Sequence, residues 1–335
     1  MRIPQRTQIT KLTKINSLAL SLENVPHSEN DPQRRVSGFE LWQWWQQARQ
    51  AAIAASVPPN EVDWLLQEVA ELEPLALRLE SFKYQPQIPL RLPSLDVLSQ
   101  CWQQRLDRRV PIQYLTGTTP WRQFSLTVSP AVLIPRPETE CLIDLAIAAV
   151  QADIEADPEE DLTGGIWVDL GTGRGAIACA LALAFPAASI HAVDLSPEAL
   201  IVAQQNSQQL DLHSQIQFHQ GSWWEPLASL QGKCSAMVAN PPYIPSALIS
   251  QLQPEVAHHE PHLALDGGDD GLDCVRHLVE TASDYLRSRG LWLVELMADQ
   301  APTVVQHLQR QGSYHNIQIH PDLAGIDRFV LARRI

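Results

Sequence analysis

Beyond residue 165 the chain alternates between short apolar runs and longer amphipathic ones. The apolar runs at 166–170, 190–194, 216–220, 236–239 and 291–296 have the length of strands buried on both faces, and two more stand near 316–320 and 329–333. Between most of them, apolar residues recur at helical spacing, at about 175–185, 197–210, 270–288 and 299–311. Strand and helix in alternation predict a doubly wound α/β domain. Upstream the pattern is helical. Ser37-Gly38-Phe39-Glu40 reads as a capping box before Leu41, Trp42, Trp45 and Ala48 at helical spacing. Asn60 is placed to cap a second helix, with Val62, Leu65, Leu66, Val69 and Leu72 on one face and Pro74 as its stop. Ser94 opens a third, carrying Leu95, Leu98, Trp102 and Leu106 and ending at Pro111.

These patterns divide the chain into an extension (1–36), a helical domain (37–115), a linker (116–137) and the α/β domain (138–335). Within the linker, Phe124, Leu126 and Val128 alternate as in a strand, and a helix is expected over 138–151. The acidic stretch 153–165, with Pro158 and two closing glycines, reads as an exposed connection. The extension is weakly periodic, with several basic residues before its first acid, Glu23. A transit peptide is similar in composition, but a disordered extension is the simpler reading.

Composition narrows the function classes. The chain has 335 residues, 45% of them apolar, and no apolar stretch approaches the ~20 residues that span a bilayer. Its formal net charge of −14 disfavours non-specific binding to nucleic acid, which relies on a basic surface. The same charge suits a basic protein partner. The five cysteines are far apart with no C-x-x-C pair, as in reduced, buried thiols of a cytoplasmic protein. In the run His258-His259-Glu260-Pro261-His262 the proline spoils a helical ligand face, so no metal is expected.

Asn240-Pro241-Pro242-Tyr243 carries the most chemistry. It follows the apolar run 236–239, and two prolines end the strand while fixing the backbone. Asn240 is thereby held at the carboxyl end of a strand, where open α/β sheets bind ligands. A rigid Asn amide, an exposed Pro241 carbonyl and an aromatic face can accept both N–H bonds of a planar amide or amine and pack against its plane. That arrangement suits methyl transfer to a weakly nucleophilic nitrogen. A strand-terminating turn accounts for the same residues.

The first strand of the α/β domain runs from Asp169 into Gly171-Thr172-Gly173-Arg174-Gly175, a tight turn that lets a ligand approach the backbone. Asp194 ends the second strand, about 20 residues on, where an acid accepts hydrogen bonds from ribose hydroxyls. Gly171, Gly173 and Ala176 also fit a dinucleotide pattern, which keeps a NAD enzyme open. Asp169 would repel a pyrophosphate but could hold a cationic amino group, and a nicotinamide site leaves Asn240-Pro241-Pro242-Tyr243 unexplained. Of Trp223 and Trp224, one is expected at the rim, where it could stack on adenine, and the other in the core.

Together these residues resemble the HemK/PrmC family of release factor glutamine methyltransferases. The likeness extends over 38–334 and includes PIQYL (111–115), VLIPRPETE (132–140), DLGTGRGAIA (169–178), AVDLSPEAL (192–200), NPPYIP (240–245), GLDCVRHL (271–278) and DLAGIDRF (322–329). The resemblance implies a seven-stranded, Rossmann-like fold dependent on S-adenosylmethionine (SAM). Its last strand is antiparallel, and a β-hairpin joins it to a helical domain that recognises the substrate. It implies methyl transfer to the side-chain nitrogen (N5) of the glutamine in the Gly-Gly-Gln tripeptide of class-1 peptide-chain release factors, with S-adenosyl-L-homocysteine as product. Carried over by position, 171–175 and Asp194 bind SAM, Trp223 lies beside adenine, Asn240 bridges cofactor and glutamine, and Pro241, Pro242 and Tyr243 complete the substrate site.

Five positions depart from the family pattern. Arg174 replaces a Ser or Thr and is expected to point outward. Ser222 stands where an acid often precedes the tryptophan, Leu296-Met297 replaces Ile-Gly, and His259 replaces a Phe. Two rivals bracket this reading. A DNA adenine-N6 methyltransferase uses the same tetrapeptide on a flipped base, against which stand the acidic charge and the lack of a basic target-reading domain. A SAM-binding regulator without catalysis is the other.

Overall fold

A computed structural model of the chain describes residues 35–157 and 162–335. The expected extension therefore lies almost wholly outside the described residues, as does the middle of the acidic connection. The chain divides into two compact units, 1–118 and 119–335.

The first unit is helical, with β1 (Arg35–Val36) and β2 (Ile88–Pro89) paired antiparallel. Its helices are α1 (Gly38–Ala54), α2 (Asn60–Ala70), α3 (Pro74–Arg78), α4 (Leu95–Arg108) and α5 (Ile112–Thr116). The Ser37/Glu40 capping box is present at the start of α1, with Ser37 Oγ accepting from Glu40 N and Glu40 Oε2 accepting from Ser37 N. Ser94 caps α4 by a single bond, its Oγ accepting from Val97 N. Leu41, Trp45, Val62, Leu65, Leu66, Leu98 and Trp102 share one apolar core. The aromatic stripe is core with polar edges: Trp102 Nε1 donates to the Ala48 carbonyl, and Trp45 Nε1 to Asp63.

Three boundaries differ from the sequence expectation. Asn60 lies inside the first turn of α2 rather than capping it. Glu71, in the left-handed region, ends α2 before Pro74, which opens α3 at its first turn. Arg109 does the same for α4, and Pro111 precedes α5. The prolines read as stops are starts, because proline's fixed φ and missing N–H cost nothing in a first turn.

In the second unit β3 (Thr118–Trp121) and β4 (Phe124–Thr127) form a two-stranded ribbon. A 3-10 turn, Pro137–Thr139, leads into α6 (Glu140–Ala156). Then follow β5 (Ile166–Leu170), α7 (Ala176–Ala184), β6 (Ser189–Asp194), α8 (Pro197–Gln209), β7 (Ile216–Gln220) and β8 (Cys234–Ala239). The remainder comprises α9 (Ser246–Ile249), α10 (Pro254–His259), α11 (Asp273–Tyr285), β9 (Leu286–Glu295), α12 (Ala301–Gln311), β10 (Tyr314–Pro321) and β11 (Asp327–Arg334). Every strand expected from the apolar runs is present. Strand β9 begins earlier than its apolar run, because polar 287–289 joins the strand through a register irregularity opposite β8.

The sheet order is β10-β11-β9-β8-β5-β6-β7. Strand β11 runs antiparallel to both neighbours, while β5 to β9 are parallel. This is the seven-stranded Rossmann-like arrangement. Residues alternate between two cores, Trp167 and Ile190 on one face, Val168, Met237 and Trp292 on the other. The chain leaves β5 for β6 on one side and returns to β8 on the other, so the order reverses at β5. Ligands of open α/β sheets bind outside the carboxyl ends of strands at such a switch point. Among the described residues no helix is long and apolar enough to cross a membrane.

Candidate active site

The loops after β5, β6, β7 and β8 converge on a cavity of about 510 Å³, a size suited to a nucleoside-sized ligand. Gly171, Thr172, Gly173, Arg174, Asp194, Trp223, Asn240 and Pro242 line it. Asp169, Gly175, Pro241 and Tyr243 do not; they stand behind the wall or beside it.

The glycine loop is made by backbone conformation. Gly171, Gly173 and Gly175 have φ of +77°, +55° and +82°, a region other residues enter at a cost. A Cβ on Gly175 would also press on Ala203 at 3.1 Å, so this glycine sets the approach of loop to helix α8. Asp169 is fully buried behind the turn. Its Oδ2 accepts from Thr172 Oγ1 (2.6 Å) and from Ala178 N (3.0 Å), while Oδ1 has no partner. Burial raises its pKa to about 7 against the pull of those two hydrogen bonds. Asp194 Oδ2 accepts from Gly173 N (2.7 Å) and Oδ1 from Ser196 N (2.9 Å), which ties the acid at the end of β6 to the loop after β5.

Trp223 lines the cavity with a strained φ of +49°. Its ring lies 3.8 Å from where a Gly171 Cβ would be. Trp224 is core, stacked on Tyr285 at 4.4 Å. The two tryptophans thus divide between rim and interior.

Arg174 departs from expectation. Its side chain is buried rather than outward, and its charge lies near enough to Asp169 and Glu260 to favour their ionised forms. The two acids give a buried guanidinium its countercharge. Its carbonyl accepts from Asn206 Nδ2, and the same side chain pairs with both backbone groups of Thr127. Asn206, fully buried, thereby joins the β3–β4 ribbon to the glycine loop.

The opposite wall is built from side chains. Asn240 Nδ2 donates to Thr139 Oγ1 at 3.0 Å. Tyr243 is half-buried; its hydroxyl donates to Glu295 Oε1 at 3.4 Å, and its carbonyl accepts from Gln300 Nε2 at 3.0 Å. Burial and the Glu295 charge push the Tyr243 phenol above its ordinary range. Burial likewise raises Glu295 to about 7, opposed by hydrogen bonds from Thr139 and Tyr243 and by Arg328. Arg136 grips Glu260 with one nitrogen 2.9 Å from both oxygens, which fastens the 132–136 segment to the 260 loop. Pro241 is buried and off the cavity lining, where the sequence leads one to expect an exposed carbonyl. Thr139, Asn206, Glu295 and Gln300 are supporting residues to which the motifs assign no role, although Glu295 matches the Glu of the expected Glu-Ile-Gly. Thr139 stands inside the 132–140 motif, and that was the only signal available for it.

The residues present fit SAM on three observations. The glycine turn leaves backbone open to the cavity, Asp194 brings a carboxylate to its edge, and Asp169 keeps one buried oxygen unpartnered.

A family model described as a methyltransferase domain matches residues 163–265. The chain is 48% identical to the release factor glutamine methyltransferase of Synechocystis, over 90% of this chain and 98% of that one. It is 45% identical to the protein of the same name from Thermosynechococcus vestitus (89% and 99% covered) and 43% to that of Gloeobacter violaceus (86% and 95%).

Proposed function

We infer the activity from one premise: this chain belongs to the release factor glutamine methyltransferase family. It is a SAM-dependent transferase that methylates the side-chain amide nitrogen of a glutamine in a peptide-chain release factor. The finer reading is that the partner is a class-1 factor, that the glutamine is that of Gly-Gly-Gln, and that the enzyme works in the cytoplasm. The premise favours this reading over a DNA adenine methyltransferase.

When bound, SAM supplies an electrophilic methyl group on a sulfonium, the hard part of the chemistry. The chain's residues divide the rest. The turn 171–175 would admit the cofactor to the backbone, Asp194 would accept from ribose hydroxyls, Trp223 would offer a face to adenine, and Asp169, from behind the turn, would supply negative charge toward the amino group. An amide nitrogen is a poor nucleophile because its lone pair is delocalised. Asn240 Oδ1 and the Pro241 carbonyl accept its two N–H bonds, Pro242 closes the wall, and Tyr243 packs against the amide plane. These acceptors hold the nitrogen in line for transfer and strengthen as positive charge grows on it, which favours the transition state over the ground state. The 37–115 region contributes a recognition surface for the protein substrate.

The observation that carries this reading is Asn240, fixed at the end of β8 on the cavity wall with its amide nitrogen already engaged. The test is tandem mass spectrometry of a class-1 release factor incubated with the protein and SAM. One added methyl on the Gly-Gly-Gln glutamine is expected. An unmodified factor would point to a silent SAM-binding regulator, and methylation of DNA to the other rival.

A further inference from the structure

We propose that Thr139 and Glu295 are positioning residues that set which end of the Asn240 amide faces the substrate; the inference rests on the activity proposed above. An Asn side chain has two ends with opposite hydrogen-bonding character, an acceptor oxygen and a donor NH₂, that differ little in shape. Only the oxygen can accept an N–H from a glutamine amide. Something must therefore keep the amide from turning over.

The structure supplies that restraint. Thr139 is buried at the end of the 3-10 turn Pro137–Thr139, on the cavity wall. Its Oγ1 lies 3.0 Å from Asn240 Nδ2. A threonine hydroxyl has one proton to give. Its other neighbour is the carboxyl of Glu295, whose ionised form the hydroxyl favours. An ionised carboxylate can only accept, so the hydroxyl proton goes to Glu295 and the oxygen must accept from Asn240. The NH₂ end is then held at Thr139 and Oδ1 is left for the incoming amide. The ordering group is anchored in turn, since Glu295 ends strand β9, is almost fully buried, and receives the Tyr243 hydroxyl on Oε1. One carboxylate thus orients both Asn240 and Tyr243 from behind the wall.

A reversed amide would present two N–H donors to a substrate that itself offers N–H, and a donor left unmatched under a bound substrate carries the cost of lost solvation. Loss of the Thr139 hydroxyl should therefore act on transfer and not on cofactor capture.

The test compares wild type, Thr139→Val and Thr139→Ser at about pH 8, where Glu295 is ionised, using steady-state methylation of a release factor, calorimetric SAM binding and thermal unfolding. Thr139→Val keeps the shape and removes the hydroxyl. A kcat about tenfold lower is expected, the scale of one oriented hydrogen bond, with the KM for release factor and the SAM affinity within about twofold of wild type. Thr139→Ser should recover most of kcat. Thr139→Ala, which removes the hydroxyl with no added methyl beside Glu295, should match Thr139→Val and gives a second reading if the latter does not fold. An unchanged kcat in Thr139→Val, or a Thr139→Ser enzyme as slow as Thr139→Val, overturns the inference. So does a loss of SAM affinity and melting temperature in step with rate, which would make Thr139 merely structural. A wild-type enzyme that transfers nothing overturns the activity itself and leaves no rate for Thr139 to influence, an outcome distinct from the others.

Discussion

The two walls of the cavity are built by different means. On the side proposed for the cofactor the shape comes from backbone: three glycines at positive φ, and an acid at the end of β6 that binds an amide of the turn 21 positions earlier. On the side proposed for the substrate it comes from side chains held by partners far along the chain, with Thr139 reaching Asn240 across 101 positions, Glu295 reaching Tyr243 across 52, and Gln300 reaching it across 57. A backbone cradle tolerates change in the side chains around it but not in its glycines. A side-chain wall depends on each hydrogen bond behind it, because a buried polar group left unmatched is costly. Substitutions on the first wall should therefore appear in binding and folding, and those on the second in rate.

The largest expected effect lies on the substrate wall. Asn240→Ala should slow single-turnover methyl transfer by ~10²–10³, about 3–4 kcal/mol, as loss of one preorganised acceptor does elsewhere. Its SAM affinity, measured by calorimetry, should fall much less, because the glycine turn and Asp194 remain. Asn240→Asp keeps an acceptor and should retain part of the rate.

On the cofactor wall, Trp223→Ala should weaken SAM binding by roughly tenfold, since base stacking on an aromatic face is worth about 1–3 kcal/mol. Transfer from the saturated complex should stay near wild type. Unchanged affinity in the calorimeter would mean that the ring is only rim. Gly175→Ala should cost about 1–2 kcal/mol of folding stability in urea unfolding, because its φ of +82° is unfavourable for an L residue and its Cβ would crowd Ala203.

The last effect concerns pH. Burial lifts the Glu295 carboxyl to about 7 in the folded chain, above its ordinary value in the unfolded one. Between those two values the folded state holds a proton that the unfolded state has released. The stability this contributes is present below the unfolded pKa and is lost as pH rises through about 7. Wild type should thus lose more melting temperature between about pH 5.5 and pH 8 than Glu295→Gln does. Equal losses in both proteins would contradict the shift.

The same contrast explains what could be read from the sequence. The strand–helix alternation, the glycine turn, Asp194 and the placement of Asn240 follow from local patterns, and the sheet repeats them. The helix caps behave likewise, the Ser37–Glu40 capping box and the single Ser94 cap on Val97 N. The misreadings fall where a residue has two local meanings: Pro74 and Pro111 suit a helix start as well as a stop, and polar 287–289 suits a helix end as well as a bulged strand. What stayed hidden depends on contacts between distant segments. Nothing in the order of residues says that Thr139 meets Asn240, that Asn206 pins Thr127 to the glycine loop, or that Arg174 turns inward toward Asp169 and Glu260.

The division between the walls is tested most directly by combining Asn240→Ala with Trp223→Ala and measuring SAM affinity and single-turnover rate in all four proteins. The sites act on separate quantities, so the effects should not couple. The double variant should show close to the SAM affinity of Trp223→Ala and, once saturated, close to the transfer rate of Asn240→Ala. A folded Asn240→Ala enzyme with near wild-type rate, or one that loses SAM as severely as Trp223→Ala, would contradict the account.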